Sequence, residues 1–234
     1  MLVLGIDTAT QTGGVALLDQ EALRGEYLLN VSVTHSERLM RSIQMLMRDS
    51  HISGEDITGI AVSLGPGSFT GLRIGVTVAK TLAWVWGCPL VGVSTLKALA
   101  IQGAGGELLC PLIDARRENV YAAVYSADFQ PVLDPHYTSL TELTDFFQNQ
   151  GKTVVFLGDA VLRHRETLLD KLPGLARIAP MPDLLLRPAS VAHVGLEMLK
   201  QGHQDDPFTL KPFYLRQAEA ERNALSKRHR GTGP

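Results

Sequence analysis

The order of the apolar runs constrains this chain most. Val3 to Asp7, Gly13 to Leu18 and Leu23 to Val31 are short strand-like segments joined by connections of a few residues, Asp19-Gln20-Glu21 among them. Connections that short join antiparallel neighbours, because a parallel crossover needs about a dozen residues or more. The periodicity then changes. Ser36 offers an N-cap for a helix to about Asp49, Ile57 to Leu64 reads as a strand, and Gly71 to Trp86 as a long apolar helix. Pro89 to Val93 is a further strand, and Ser94 caps a helix to about Gln102. Hairpin-linked strands followed by alternating helices and strands predict an α/β fold with a mixed sheet and helices on its faces.

Gly103-Ala104-Gly105-Gly106 breaks this pattern and marks a boundary between an N-terminal lobe, 1–103, and a C-terminal lobe, 104–216. The pattern then restarts. Leu108 to Asp114, Val120 to Tyr125 and Gln130 to Thr138 read as strands, and Leu140 to Gln148 as a helix. Thr153 to Gly158 is a strand, Ala160 to Leu172 a helix, Ala176 to Ala179 a short strand and Ser190 to Gly202 a helix. The second lobe reads as a degraded copy of the first. Residues 217–234 form a polar tail that is expected to fray.

Composition narrows the function. With 45% hydrophobic and 20% charged residues the chain can bury a sizeable core. A protein that holds nucleic acid unaided carries a basic excess or stripe. Here the net charge is -2, and a basic cluster occurs only at Lys227-Arg228-His229-Arg230. Cys88 and Cys110 each precede a proline and match no zinc or redox spacing, so both read as buried thiols of a reducing compartment. The first residues lack the basic region of a signal peptide, and no run of about 18 apolar residues exists, so the expectation is a cytoplasmic protein with no membrane partner.

Two loops could carry chemistry. Asp7-Thr8-Ala9-Thr10 follows a buried strand, where an Asp can hold a hydrated cation and hydroxyls can meet phosphate oxygens. The same string is also an ordinary polar turn. Gly65-Pro66-Gly67-Ser68-Phe69-Thr70-Gly71-Leu72-Arg73-Ile74-Gly75 links a strand to a helix. Its glycines permit positive φ and close backbone approach, a helix N-terminus favours anions, and Ser68 and Thr70 add donors. Arg73 in the first turn opposes the helix dipole, which points to an anionic or carbonyl partner. The string is not a Walker loop. A tight turn with glycines placed for packing stands as the alternative.

The helix from Ser36 carries an apolar stripe of Leu39, Met40, Ile43, Leu46 and Met47, widened by Met45, with Arg38, Arg41, Arg48 and Asp49 on the opposite face. Such a stripe either packs on a sheet or, being rich in methionine, docks a partner. The histidines (35, 51, 136, 164, 193, 203 and 229) form no helical metal pair, and no nucleophile elbow is present.

Leu4-Gly5-Ile6-Asp7-Thr8-Ala9-Thr10, the Gly65–Gly75 string, Val91-Gly92-Val93-Ser94-Thr95, Ile113-Asp114-Ala115-Arg116, Arg187-Pro188-Ala189-Ser190-Val191-Ala192 and Pro212-Phe213-Tyr214-Leu215-Arg216 together resemble the TsaB (YeaZ) family. The resemblance runs from Leu2 to about Arg216. It implies an actin-like ATPase (ASKHA, ribonuclease-H-like) fold with two lobes, each a mixed sheet flanked by helices. It also implies a non-catalytic subunit that supports a catalytic paralogue, TsaD, together with the ATPase TsaE, in making threonylcarbamoyl-adenosine beside the tRNA anticodon. The paralogue's metal-binding histidine pair falls on Thr95 and Leu99, and leucine cannot ligate a metal.

On the same resemblance, a nucleotide- or phosphate-facing loop would comprise Asp7, Thr8, Thr10, Gly65, Gly67, Ser68, Thr70 and Arg73. Gly158-Asp159 is a remnant of a matching loop in the second lobe. No cofactor is expected beyond weak ATP or ADP binding within a complex, and no metal. The partner face would comprise Leu39, Met40, Ile43, Leu46, Met47 and Leu72, meeting the TsaD-type paralogue or, in its absence, a second copy as a homodimer. TsaE and tRNA would be reached only through the complex. The alternatives are an independent ASKHA ATPase or kinase, a glycoprotease-like peptidase, and a direct tRNA-binding protein, against which the acidic balance counts and to which only Arg73, Arg116, Arg117 and the tail could contribute.

Overall fold

The computed structural model describes residues 1–30, 35–116 and 118–216. Val31, Arg117 and the tail 217–234 lie outside the described residues. The first half runs β1 (Leu2–Asp7), β2 (Gly13–Asp19), β3 (Leu23–Leu29), α1 (His35–Asp49), β4 (Gly59–Gly65), α2 (Phe69–Trp86), β5 (Leu90–Ser94) and α3 (Thr95–Ala100). The second half runs β6 (Leu108–Asp114), β7 (Asn119–Ser126), β8 (Pro131–Ser139), α4 (Leu140–Gln150), β9 (Val154–Leu157), α5 (Ala160–Lys171), β10 (Ala176–Ile178) and α6 (Pro188–Lys200).

Each half builds a five-stranded mixed sheet, with strand orders β3-β2-β1-β4-β5 and β8-β7-β6-β9-β10. β1 and β6 hold equivalent central places. Each pairs antiparallel with the strand after it and parallel with the strand that follows the first helix of its half. The duplication expected from the restarting pattern is therefore present strand by strand. Local signals fix the ends. Ser139 and Glu142 form a capping box at the start of α4, and Gly87 and Gly151 end α2 and α4 in the left-handed conformation.

α2 begins at Phe69, two residues before the position expected from the sequence, because Ser68 is its N-cap and accepts from the Gly71 amide. A larger departure concerns the last helix. α6 packs on β1, β2 and β4 of the first sheet, while α3 packs on β6 of the second. Small residues make the first contact possible: a Cβ on Gly5 would lie 2.7 Å from the Ala192 Cβ, and one on Gly195 would lie 2.2 Å from the Ala61 Cβ. The terminal helix of each half thus sits between the sheets, and one apolar core runs from Val3 and Ala61 to Leu112 and Phe156.

After α6 the chain returns along the first lobe. The Asp205 amide donates to the Leu90 carbonyl at 2.7 Å, and the Phe213 amide to the Leu64 carbonyl at 2.8 Å. The division expected at residue 103 follows the chain order; the packing assigns α6 and residues 205–213 to the first sheet. Among the described residues, no helix is long and apolar enough to cross a membrane.

Candidate functional site

Ser63 on β4 meets Asp7 at the end of β1, and Asp159 just after β9 lies near enough to act on the Asp7 charge. Asp7 ends β1 and is fully buried. Its Oδ1 accepts the Ser63 hydroxyl at 2.6 Å and the Ala9 amide at 3.0 Å. Its Oδ2 is buried with no hydrogen-bond partner among the described residues. Desolvation, with a smaller contribution from nearby Asp159, pushes the Asp7 carboxyl up to about 6 against the pull of those hydrogen bonds. Asp159 follows Gly158, whose φ of 105° turns the chain out of β9 much as Gly65, φ 132°, ends β4. Burial pushes Asp159 up to about 6 as well, against the pull of the Asp114 amide, while the Asp114 carboxylate raises it. The Asp114 amide donates to Asp159 Oδ1 at 3.1 Å.

Two carboxyls raised chiefly by burial can hold a proton near neutral pH, or meet a cation whose remaining ligands are water. Among the described residues no group of three His, Cys, Asp or Glu side chains is placed to bind a metal on its own.

The glycine-rich loop lies against the Asp7 turn, and its glycines serve that contact. A Cβ on Gly67 would lie 2.3 Å from the Ala9 carbonyl oxygen, one on Gly71 2.0 Å from the Thr8 carbonyl oxygen, and one on Gly75 2.3 Å from Thr8 Oγ1. Thr8 donates its hydroxyl to the Gly71 carbonyl at 2.8 Å, and the Ser68 amide donates to the Ala9 carbonyl at 2.6 Å. Of the loop residues expected to face phosphate, Asp7, Thr8, Gly67 and Ser68 are therefore brought together, with Thr8 and Ser68 engaged in the fold itself. Thr10 turns to Thr12, their hydroxyls 2.7 Å apart. Thr70 is exposed on the first turn of α2.

Arg73 does have a partner, within the chain. Its guanidinium lies 3.9 Å from the centre of the Phe69 ring, and Nε donates to the Tyr214 hydroxyl at 3.2 Å. Tyr214 stacks on Phe69 with ring centres 4.9 Å apart. Gly65 is pressed by the same segment, since a Cβ there would lie 2.2 Å from the Phe213 carbonyl oxygen.

The expected partner face needs correction. Leu39, Ile43, Leu46 and Leu72 are at most 3% exposed and lie inside the first lobe. The stripe of α1 faces its own sheet, because burying it there covers β1 and β2 as well. Met47 is partly buried on that core, and Met40 remains outside at 40% exposure. Arg38, placed by the helical wheel on the polar face, is buried, with Nη2 donating to the Gln11 carbonyl at 3.2 Å. With Thr8, Gly13, Gly14, Leu39 and Ser42 it lines a recess with room for one water molecule. The outward apolar residues of α2 are Trp84 and Val85, 67% and 60% exposed. Thr95 and Leu99, 0% and 1% exposed, are enclosed in α3.

Ser63 and Tyr214 complete the site and were not singled out as site residues from the sequence. A lone serine within Ile60-Ala61-Val62-Ser63-Leu64 is the available signal for the first; the second lies in the Pro212–Arg216 string, where nothing local links it to Arg73.

Residues 30–224 match a family model described as TsaD, tRNA N6-adenosine threonylcarbamoyltransferase. The chain is 35% identical over 225 residues to the tRNA threonylcarbamoyladenosine biosynthesis protein TsaB of Bacillus subtilis (strain 168), covering 94% of this chain and 96% of that one. Among solved structures it resembles a Pseudomonas aeruginosa protein described as similar to peptidase YEAZ, with a TM-score of 0.76 at 23% identity, over 92% of this chain and 99% of the other. It also resembles a ROK hexokinase from Thermus thermophilus, with a TM-score of 0.53 at 14% identity, over 86% and 100% of the two chains. The architecture is that of the actin-like ATPases.

Proposed function

We infer that this chain, because it belongs to the TsaB family of tRNA threonylcarbamoyladenosine biosynthesis proteins, acts in that pathway as a non-catalytic subunit that binds and supports a TsaD-type catalytic paralogue. The observation that carries the reading is the state of α3. The positions where the paralogue would hold its metal are Thr95 and Leu99, and both side chains are enclosed in the core. A leucine offers no donor atom, and neither residue is open to substrate.

The outer faces of α1 and α2 supply the docking surface of this reading. Met40, Trp84 and Val85 stand in solvent, where large apolar side chains cost least when a partner covers them. In the absence of the paralogue the same face would take a second copy by a two-fold contact. A TsaE-type ATPase and tRNA would be reached through the assembly, and nucleotide would bind weakly and only there. The loop favours this last point: Thr8 and Ser68 are spent on internal hydrogen bonds, and Arg73 is held by Phe69 and Tyr214.

The test is co-elution on a sizing column with light scattering. The chain would be run alone, with a TsaD-type protein, and as the double variant Met40→Asp, Val85→Asp, which alters only exposed side chains. A hetero-complex formed by the parent and lost in the variant, with the circular dichroism unchanged, supports the subunit reading. No complex with or without nucleotide would sink it.

A further inference from the structure

Two of the sequence strings singled out above, Gly65–Gly75 and Pro212–Arg216, lie far apart in the chain yet form one joint. The chain beyond α6 runs as a strap along α2 in the opposite direction. Lys80 Nζ donates to the carbonyls of Phe208 and Leu210 at 3.4 and 3.1 Å, and two to three turns nearer the start of α2, Tyr214 covers Phe69 and Arg73. The strap is fixed at its other end by the Asp205 carboxylate, which accepts from the Gly92 amide at 2.8 Å. All of these anchors lie on the first lobe.

The last described residue differs. The Arg216 guanidinium sits over the Tyr137 ring, 5.0 Å from its centre, and Nη1 donates to the Tyr137 hydroxyl at 3.2 Å. Tyr137 belongs to β8, the edge strand of the second sheet, and packs against Tyr121 on β7. A segment anchored along the first lobe therefore ends on the second.

We propose that Pro212–Arg216 is a latch that holds the two lobes together, with Arg216 on Tyr137 as its catch and Tyr214 on Phe69 and Arg73 as its first-lobe anchor. The arrangement suits a reversible contact. A partly exposed cation–aromatic pair is weak enough to open and specific enough to close in one place. Gly65 is part of the device: its lack of a side chain lets the Phe213 carbonyl seat against the loop. Because Arg73 also lies on the exposed side of α2, a ligand or protein that drew Arg73 away from Tyr214 would loosen the strap.

The test is hydrogen exchange of the full chain, read by mass spectrometry, with an interlobe distance from dyes at Thr81 on α2 and Glu166 on α5, Cys88 having been replaced by Ser in every sample. Arg216→Ala and Tyr137→Leu should each raise exchange at residues 64–71 and 158–161 by about 3- to 10-fold, the scale of one such contact, and lengthen or broaden the interlobe distance. The melting temperature should stay nearly unchanged, and Arg216→Lys should lie in between. Tyr214→Ala should give the same opening by freeing the other end. Exchange and distance equal to the parent in Arg216→Ala and Tyr214→Ala alike would overturn the proposal, as would faster exchange confined to the strap with the lobes unmoved.

Discussion

Ser63 donates its hydroxyl hydrogen to Asp7 Oδ1 at 2.6 Å, while the buried Oδ2 of the same carboxylate has no protein partner among the described residues. Half of the group is satisfied and half is not, and burial wins: the carboxyl titrates near 6 instead of near 3.8.

The sign of the resulting pH dependence is fixed. A carboxyl raised on folding favours the native state while it is protonated, so its contribution is complete below about pH 4 and is lost as pH rises through about 6. Asp7→Asn keeps an acceptor for Ser63 and removes the buried charge. In metal-free buffer the variant should match the parent near pH 3.5 and exceed it at pH 7 by on the order of 2–3 kcal/mol. Urea unfolding at both pH values checks this, and equal stability of the two proteins at pH 7 would refute it.

Gly71→Ala should damage the joint between the glycine loop and the Asp7 turn. The added Cβ would stand 2.0 Å from the Thr8 carbonyl oxygen, a backbone atom that cannot swing away. A loss of about 1–3 kcal/mol or more follows from overpacking of this kind, whereas exposed Thr70→Ala should stay within about 0.5 kcal/mol of the parent. Thermal melts of the pair separate a packing role for the glycines from a purely ligand-facing one.

Ile43→Ala and Met40→Ala test which side of α1 is core. Ile43 is 1% exposed and Met40 is 40% exposed. The first should cost about 2–5 kcal/mol and the second under about 1 kcal/mol. Comparable losses in denaturant unfolding would place the helix face wrongly.

Glu26 of β3 reaches across to the start of α6. Its Oε1 accepts from the Ala189 amide at 2.9 Å and its Oε2 accepts from Arg187 Nε at 3.0 Å. α6 has no side-chain cap of its own, so this carboxylate supplies one. Glu26→Ala should lower stability by about 1–2 kcal/mol, as loss of a cap does, and speed exchange of the first α6 amides. Glu26→Gln, which keeps the acceptor, should lose less.

Local signals in the sequence carried much of the fold. The three leading strands were legible because their connections are too short for anything but hairpins, and the restart after Gly106 was legible because the same spacing recurs. Ser94 and Ser139 cap helices through atoms three residues away, which is a short-range fact. The orientation of α1 was not legible. An apolar stripe says that a face will be covered and is silent on what covers it, and Leu39, Ile43 and Leu46 are covered by the chain's own sheet.

The sequence by itself determined the order of elements, the caps and the two loops that turn at the ends of β1 and β4, because these depend on neighbours within a few residues. Tertiary structure alone decided that α6 crosses to the first sheet, that Glu26 caps it, that Asp159 faces Asp7 and that Tyr214 takes Arg73. Each of these depends on a distance between residues remote in the chain, set by close packing of small residues such as Gly5 against Ala192 and Gly195 against Ala61. A glycine permits close approach without specifying what approaches, so whether Gly67 and Gly71 made room for a ligand or for Ala9 and Thr8 could be settled only once the two backbones were in place.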